Sequence, residues 1–221
     1  MKFEWVRIFA VFLLSCGSMA GHAQVSVQSG QSVMPEDYPE KILFVGNSFT
    51  YYNDGLHKHY GNLLRAANLH QPNRNKLRMM TYSGSGLWEH GAALRSALTN
   101  DRWDAVVMHD YSNGPITQWN RFVAASDTLG SIARAQGAVP LLLMTWAYAG
   151  QPEMTAQLAE AYTQRGKELG ARVIPVGLAF AAASEILDAD LYSPDLSRFE
   201  NGAPVYEKIV KHPSMAGTYL A

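Results

Sequence analysis

The sequence predicts an α/β fold in which helices cover both faces of a five-stranded parallel sheet, a three-layer α/β/α sandwich. Two observations carry that prediction. Short, nearly continuous apolar runs recur five times along the chain, the pattern of strands buried on both faces. Stretches with helical spacing lie between them, and parallel neighbours need such crossovers.

The elements follow in order. Lys41–Gly46 (KILFVG) is the first strand, and Leu56–Leu69 the first helix, with Leu63, Leu64 and Ala67 on its apolar side. Lys76–Tyr82 (KLRMMTY) is the second strand, followed by a helix over Leu87–Leu98 through Leu87, Leu94 and Leu98. Asp104–His109 (DAVVMH) precedes a helix over Phe122–Ala135, marked by Leu129, Ile132 and Ala133. Ala138–Met144 (AVPLLLM) leads to Met154–Leu169, with Leu158, Ala161, Tyr162 and Leu169, and Ala171–Val176 (ARVIPV) closes the sheet. Ser193–Lys211 lacks clear periodicity and reads as a loop over the sheet's carboxyl edge. Ligands bind at that edge in open sheets of this kind, so the chemistry is expected there.

With 221 residues, 48% of them hydrophobic and 17% charged, the chain fits one globular domain. A net charge of −1 gives no sign of a nucleic-acid surface. Lys2 and Arg7 flank a short N-terminal region, after which comes an apolar run, Ile8–Ser15, that is too short to cross a bilayer. Small residues follow at Gly21 and Ala23. Residues 1–23 therefore read as a signal peptide cleaved near Ala23, and the protein as exported, periplasmic or extracellular, with no stable membrane span. Lipid anchoring through Cys16 is the less favoured alternative, because Leu14 fits a lipobox poorly. Residues 24–40 read as an exposed leader and 41–221 as the domain. Cys16 is the only cysteine, so the processed chain would hold neither a disulfide nor a cysteine nucleophile. His57 and His59 lie two apart on a helix and point to different faces, and no H-E-x-x-H is present. Neither a metal nor an organic cofactor is expected. The sequence is silent on oligomeric state.

Two short segments carry chemistry. Gly46-Asn47-Ser48-Phe49-Thr50 follows the first strand directly, which sets Ser48 at the carboxyl edge. The glycine would permit a tight turn, and a helix start nearby would favour negative charge at the serine oxygen. On its own, Ser48 could equally cap a helix. Near the far end, Lys211-His212-Pro213-Ser214 holds a histidine in an extended backbone before a proline that suits a helix's first turn.

Taken together, G-N-S-F-T and H-P-S-x-x-G-x-Y-L resemble the first and last blocks of the SGNH (GDSL-like) hydrolases, most closely a group whose motif reads GNSFT. The resemblance spans residues 41–221 and implies a flavodoxin-like fold. It implies Ser48 as nucleophile, His212 as base, and an oxyanion hole of the Ser48 and Gly84 N–H groups and the Asn113 side chain. Gly84 comes from Tyr82-Ser83-Gly84-Ser85-Gly86-Leu87, where Gly86 is a close rival. Asn113 comes from aligning residues 104–113 with the family's third block, although Tyr111 and Gly114 depart from its pattern, and His109 and Asp110 could line the same site. In the last block the family has D-x-x-H, and this chain has Ile209 in place of the aspartate. Glu207, Asp195 or a backbone carbonyl could substitute, or a Ser–His dyad could operate.

The expected function is therefore an exported serine esterase acting on a small-molecule or glycan ester, with removal of O-acetyl groups from carbohydrates as the specific expectation and a lipase or thioesterase role left open. Trp88, Trp119 and Trp146 could stack on sugar rings. The alternative is an impaired relative that binds a glycan or protein partner, favoured by Ile209 and by the abrupt C-terminal ending. Pro213–Ala221 reads as the start of a helix that similar proteins continue, so a shortened C-terminus is also an expectation.

Overall fold

The computed structural model describes residues 38–221. The segment expected to be a signal peptide, Cys16 and nearly all of the expected leader lie outside the described residues. At the leader's end, the Tyr38 hydroxyl donates to the Leu69 carbonyl at 3.0 Å and Glu40 pairs with Arg74.

Five strands, β1 (Lys41–Gly46), β2 (Lys76–Thr81), β3 (Ala105–Met108), β4 (Val139–Leu143) and β5 (Arg172–Ile174), form one sheet in the order β2-β1-β3-β4-β5. Every neighbouring pair is parallel. This is a flavodoxin-like order, which reverses direction between β1 and β3 and opens a crevice beyond their carboxyl ends. Among the described residues eight α-helices accompany the strands: α1 (Ser48–Tyr51), α2 (Leu56–Ala66), α3 (Gly91–Asn100), α4 (Gly114–Thr117), α5 (Trp119–Ala135), α6 (Glu153–Leu169), α7 (Val176–Ile186) and α8 (Met215–Leu220).

The strands' two-residue period divides the core in two. Leu43, Val45, Val106, Met108 and Leu142 pack with Leu94 and Leu98 of α3, Phe122 and Leu129 of α5, and Leu158 and Tyr162 of α6. Ile42, Phe44, Ala105, Val107 and Leu143 face the other way, onto Leu56 of α2 and Val176, Phe180 and Ala183 of α7. The result is the three-layer α/β/α fold the sequence predicts.

Several elements differ from expectation, among them α7, a helix that the apolar pattern does not announce. The helix over Leu87–Leu98 is broken into a 3₁₀ turn, Leu87–Glu89, and α3, with His90 at the joint. The strand at Ala171–Val176 ends at Ile174, because Pro175 has no N–H for the ladder and its carbonyl instead accepts from Leu178 and Ala179 as α7 begins. The segment Ser193–Lys211 is not merely a loop. It contains an antiparallel hairpin, β6 (Leu196–Glu200) and β7 (Ala203–Tyr206), turned by Asn201 and Gly202 at φ +51° and +80°. Positive φ at both central residues is what a type I′ hairpin turn requires.

Gly46 is needed for a different reason than a tight turn. It has no left-handed φ, but a Cβ added there would lie 2.2 Å from the His109 Nε2. Gly46→Ala is expected to push the buried His109 ring off its partner and to destabilise the fold by about 1–3 kcal/mol, read as a lowered urea midpoint at constant m-value.

Candidate active site

The carboxyl ends of β1, β2 and β3 are tied together by one side chain. Asn47 is buried just past β1. Its Nδ2 donates to the Ser85 carbonyl at 2.9 Å and to the Asp110 carbonyl at 3.2 Å, and its Oδ1 accepts the Phe49 N–H at 3.1 Å. The last of these bonds starts α1 and makes Ser48 its first residue. Behind it the Phe49 ring stacks on Trp146 at 4.2 Å, and Trp146 stacks on Phe180 at 4.5 Å. Thr50 is anchored to His109: burial pushes that imidazole's pKa down to about 4, so the ring is neutral. Its Nδ1 donates to the Asp110 carbonyl at 2.9 Å, which leaves Nε2 to accept from the Thr50 hydroxyl at 2.7 Å. Ser48 thus sits on a rigid platform.

His212 meets it from the far end of the chain. The Ser48 Oγ donates to His212 Nε2 at 2.7 Å, and the imidazole Nδ1 donates to the Asp195 carboxylate. The other Asp195 oxygen accepts from the Tyr52 hydroxyl at 2.7 Å. The Tyr52 ring also lies flat on the imidazole, with centroids 4.0 Å apart and planes 10° apart. Burial, and then the hydrogen bond to Asp195, raise the Tyr52 pKa well above that of a free tyrosine, so the phenol stays a donor. Asp195 is therefore the carboxylate that Ile209 seemed to lack.

The hairpin makes this possible. Asp195 immediately precedes β6, and its carbonyl accepts the Glu207 N–H at 2.8 Å just past β7. The Ser193 N–H donates to the His212 carbonyl at 3.0 Å, and Tyr192 bridges to Pro213. The chain leaves at Asp195 and returns to His212 beside it. Asn53, at φ +50°, braces the histidine loop by donating to the Pro213 carbonyl at 2.9 Å and the Thr218 hydroxyl at 2.8 Å. Ile209 itself is 52% exposed.

A cavity of about 240 Å³ opens here, lined in part by Ser48, Tyr52, Ser83, Gly84, Ser112 and His212. Of the four site residues expected from sequence, three share this wall and Asn113 does not. After β3 the chain is fixed at Ser112, whose hydroxyl meets that of Tyr148 at 2.7 Å and whose carbonyl accepts from Thr145 at 2.9 Å. It turns at once into α4, so Asn113 precedes that helix and Ser112 lines the cavity instead. The rival glycines separate cleanly. The Gly86 N–H is occupied by Glu89 at 3.0 Å, and a Cβ on Gly86 would overlap the Trp88 ring. Gly84 takes φ +67°, has open space where a Cβ would go, and its N–H has no acceptor among the described residues. The Ser48 N–H, first in its helix, is likewise left over.

The tryptophans do not form a sugar platform. Trp146 is fully buried, Trp119 packs edge-on against Phe122, and Trp88 carries Arg121 over its face at 4.4 Å. Among the described residues no three His, Cys, Asp or Glu side chains gather as a metal site, and the His59 ring bonds the Asn53 carbonyl. No described helix is long and apolar enough to cross a membrane.

The fold recurs in solved structures. A Slackia heliotrinireducens protein, provisionally described as an SGNH hydrolase, is 28% identical, with 81% of this chain and 92% of that one covered at a TM-score of 0.60. A catalytic mutant of an acetylxylan esterase from Geobacillus stearothermophilus is 15% identical over 82% and 90%, also at 0.60. A lipolytic protein of the G-D-S-L family from Desulfitobacterium hafniense, again provisionally described, is 15% identical over 82% and 94%, at 0.56. No protein-family model and no curated protein sequence matches the chain.

Proposed function

The chain is a member of the SGNH/GDSL-like hydrolases, and from that premise we propose that it is an exported serine esterase working through an acyl-enzyme, with small acyl groups on carbohydrates as its substrates. The observation that carries the proposal is the continuous chain of hydrogen bonds from Ser48 through His212 to Asp195 and Tyr52.

In this reading His212 Nε2 takes the Ser48 proton as Oγ attacks the ester carbonyl, and Asp195 holds the imidazole in the tautomer that leaves Nε2 free to accept. The Ser48 and Gly84 N–H groups donate to the tetrahedral oxyanion, each lost donor costing about 10²–10³ in turnover. His212 then protonates the leaving alcohol. A water, deprotonated by the same nitrogen, releases the acid and restores Ser48.

The cavity, at about 240 Å³, falls below the roughly 300–1,000 Å³ usual for drug-sized ligands. That favours acetyl over a long acyl chain. Export, read from residues 1–23, would bring the enzyme to polysaccharides, and one fold neighbour is named an acetylxylan esterase. The Asp195 carboxylate in contact with His212 removes the argument from Ile209 for an impaired binding protein.

The test is acetate release from acetylated oligosaccharides beside hydrolysis of para-nitrophenyl esters of increasing acyl length. The expected result is acetate release, with turnover falling steeply beyond short acyl groups. Preference for long acyl chains would overturn the small-acyl assignment.

A further inference from the structure

Lys211 lines the same cavity as Ser48 and His212. Its backbone is held on both sides: its carbonyl accepts the Trp146 Nε1–H at 3.0 Å, and the preceding Val210 carbonyl accepts the Ala149 N–H at 2.9 Å. The lysine is therefore placed by the folded core and not by a wandering loop.

Its charge has no partner in the protein. The ammonium of Lys211, a half-buried residue, forms no ion pair among the described residues, and its Nζ stands 5.7 Å from the centre of the Tyr111 ring, which also lines the cavity. No Asp or Glu lies in that lining. The nearby Asp195 has both oxygens engaged, by Tyr52 and His212. A cation at a cavity wall with no carboxylate beside it is free to take its counter-charge from a ligand. The Tyr111 ring face attracts the ammonium, which holds it at the wall and leaves its donors for a ligand. Around it the rim is rich in hydroxyls, among them Tyr51, which donates to Ser83 at 3.0 Å.

From this we propose that Lys211 is a specificity-determining residue that selects esters whose alcohol carries a carboxylate, the chemistry of an O-acetylated acidic sugar. The inference rests on the esterase reading above and sharpens it. Lys211 is only partly buried, so the anion belongs on the alcohol side, which extends towards solvent.

The experiment compares kcat/KM for three aryl esters in the wild type, Lys211→Met and Lys211→Glu. Phenyl acetate is neutral, para-acetoxybenzoate places a carboxylate on the alcohol, and monophenyl succinate places it on the acyl group. The quantity read is the ratio of each anionic ester to phenyl acetate, which cancels any loss common to all substrates. The wild-type ratio for para-acetoxybenzoate is expected to fall about 10- to 100-fold in Lys211→Met, the range for losing a charged hydrogen bond. The fall should be larger in Lys211→Glu, should reside mainly in KM, and should shrink as salt is raised. A ratio unchanged by either substitution, or a preference that instead follows monophenyl succinate, overturns the proposal while wild-type turnover of phenyl acetate leaves the esterase reading standing. Failure of the folded wild type to hydrolyse any of the three overturns both.

Discussion

Replacing Ser48 with alanine is expected to lower ester hydrolysis by about 10⁴-fold or more, the scale on which a serine nucleophile is missed. The protein should remain folded. Ser48 is half-buried and contributes one hydroxyl, which donates to His212 at 2.7 Å, while the apolar packing of α1 comes from Phe49. The His212–Asp195–Tyr52 arrangement does not depend on the Ser48 oxygen. Loss of that single hydrogen bond costs about 1 kcal/mol, so the thermal midpoint should move by only a few degrees. Initial rates with para-nitrophenyl acetate, set beside a thermal melt, check both halves.

The second large effect is expected at Asp195. Asp195→Asn should reduce kcat by about 10²–10⁴-fold, because the position sets the tautomer of the base. An amide in that place can present its N–H to His212 Nδ1, which would put the imidazole proton on Nε2, facing Ser48, where it cannot accept. Tyr52→Phe, which removes the donor to the other Asp195 oxygen but keeps the ring on the imidazole, should lose less than Asp195→Asn. Ile209→Asp should bring no gain. Ile209 is 52% exposed and does not line the cavity, so a carboxylate there would enter solvent, while the His212 Nδ1–H is already bonded. Steady-state kinetics on the three variants decide the matter, and a rise in kcat for Ile209→Asp would speak against Asp195.

The sheet was legible because parallel strands covered on both faces read as apolar runs whatever their partners are. Lys41–Gly46 matches β1 residue for residue, and the other four strands lie within their expected segments. Helix α7 was not legible: Val176–Ile186 is apolar nearly all round, which leaves no polar face to reveal the 3.6-residue period. The hairpin could have been found. Asn201-Gly202 between Leu-Ser-Arg-Phe-Glu and Ala-Pro-Val-Tyr is a strong short-range turn signal. A two-residue turn there sets Asp195 opposite Lys208, a few residues short of His212, and a register shift between Leu196 and Arg198 moves the observed partner to Glu207.

The site was half legible for a related reason. Ser48, Gly84 and His212 sit in short motifs whose spacing can be read directly. Asp195 acts through space, 17 residues before the histidine it holds, and a search at the D-x-x-H position alone could only return Ile209. Asn113 was reached by carrying a block across Tyr111 and Gly114, where the pattern already departs. Gly114 turns out to be fixed by local packing, since a Cβ there would lie 2.6 Å from an Asp110 carboxylate oxygen. Gly46 teaches the same lesson, as its role is space for His109, a residue 63 positions away in the sequence.

The central claim is that Ser48 is an activated nucleophile, and covalent labelling tests it most directly. The folded protein would be treated with a fluorophosphonate and digested for peptide mass spectrometry. The account predicts close to one phosphonyl adduct per chain, on the peptide holding Ser48, formed far more slowly in Asp195→Asn. A folded protein whose Ser48 stays unmodified, or an adduct on another residue, would contradict it.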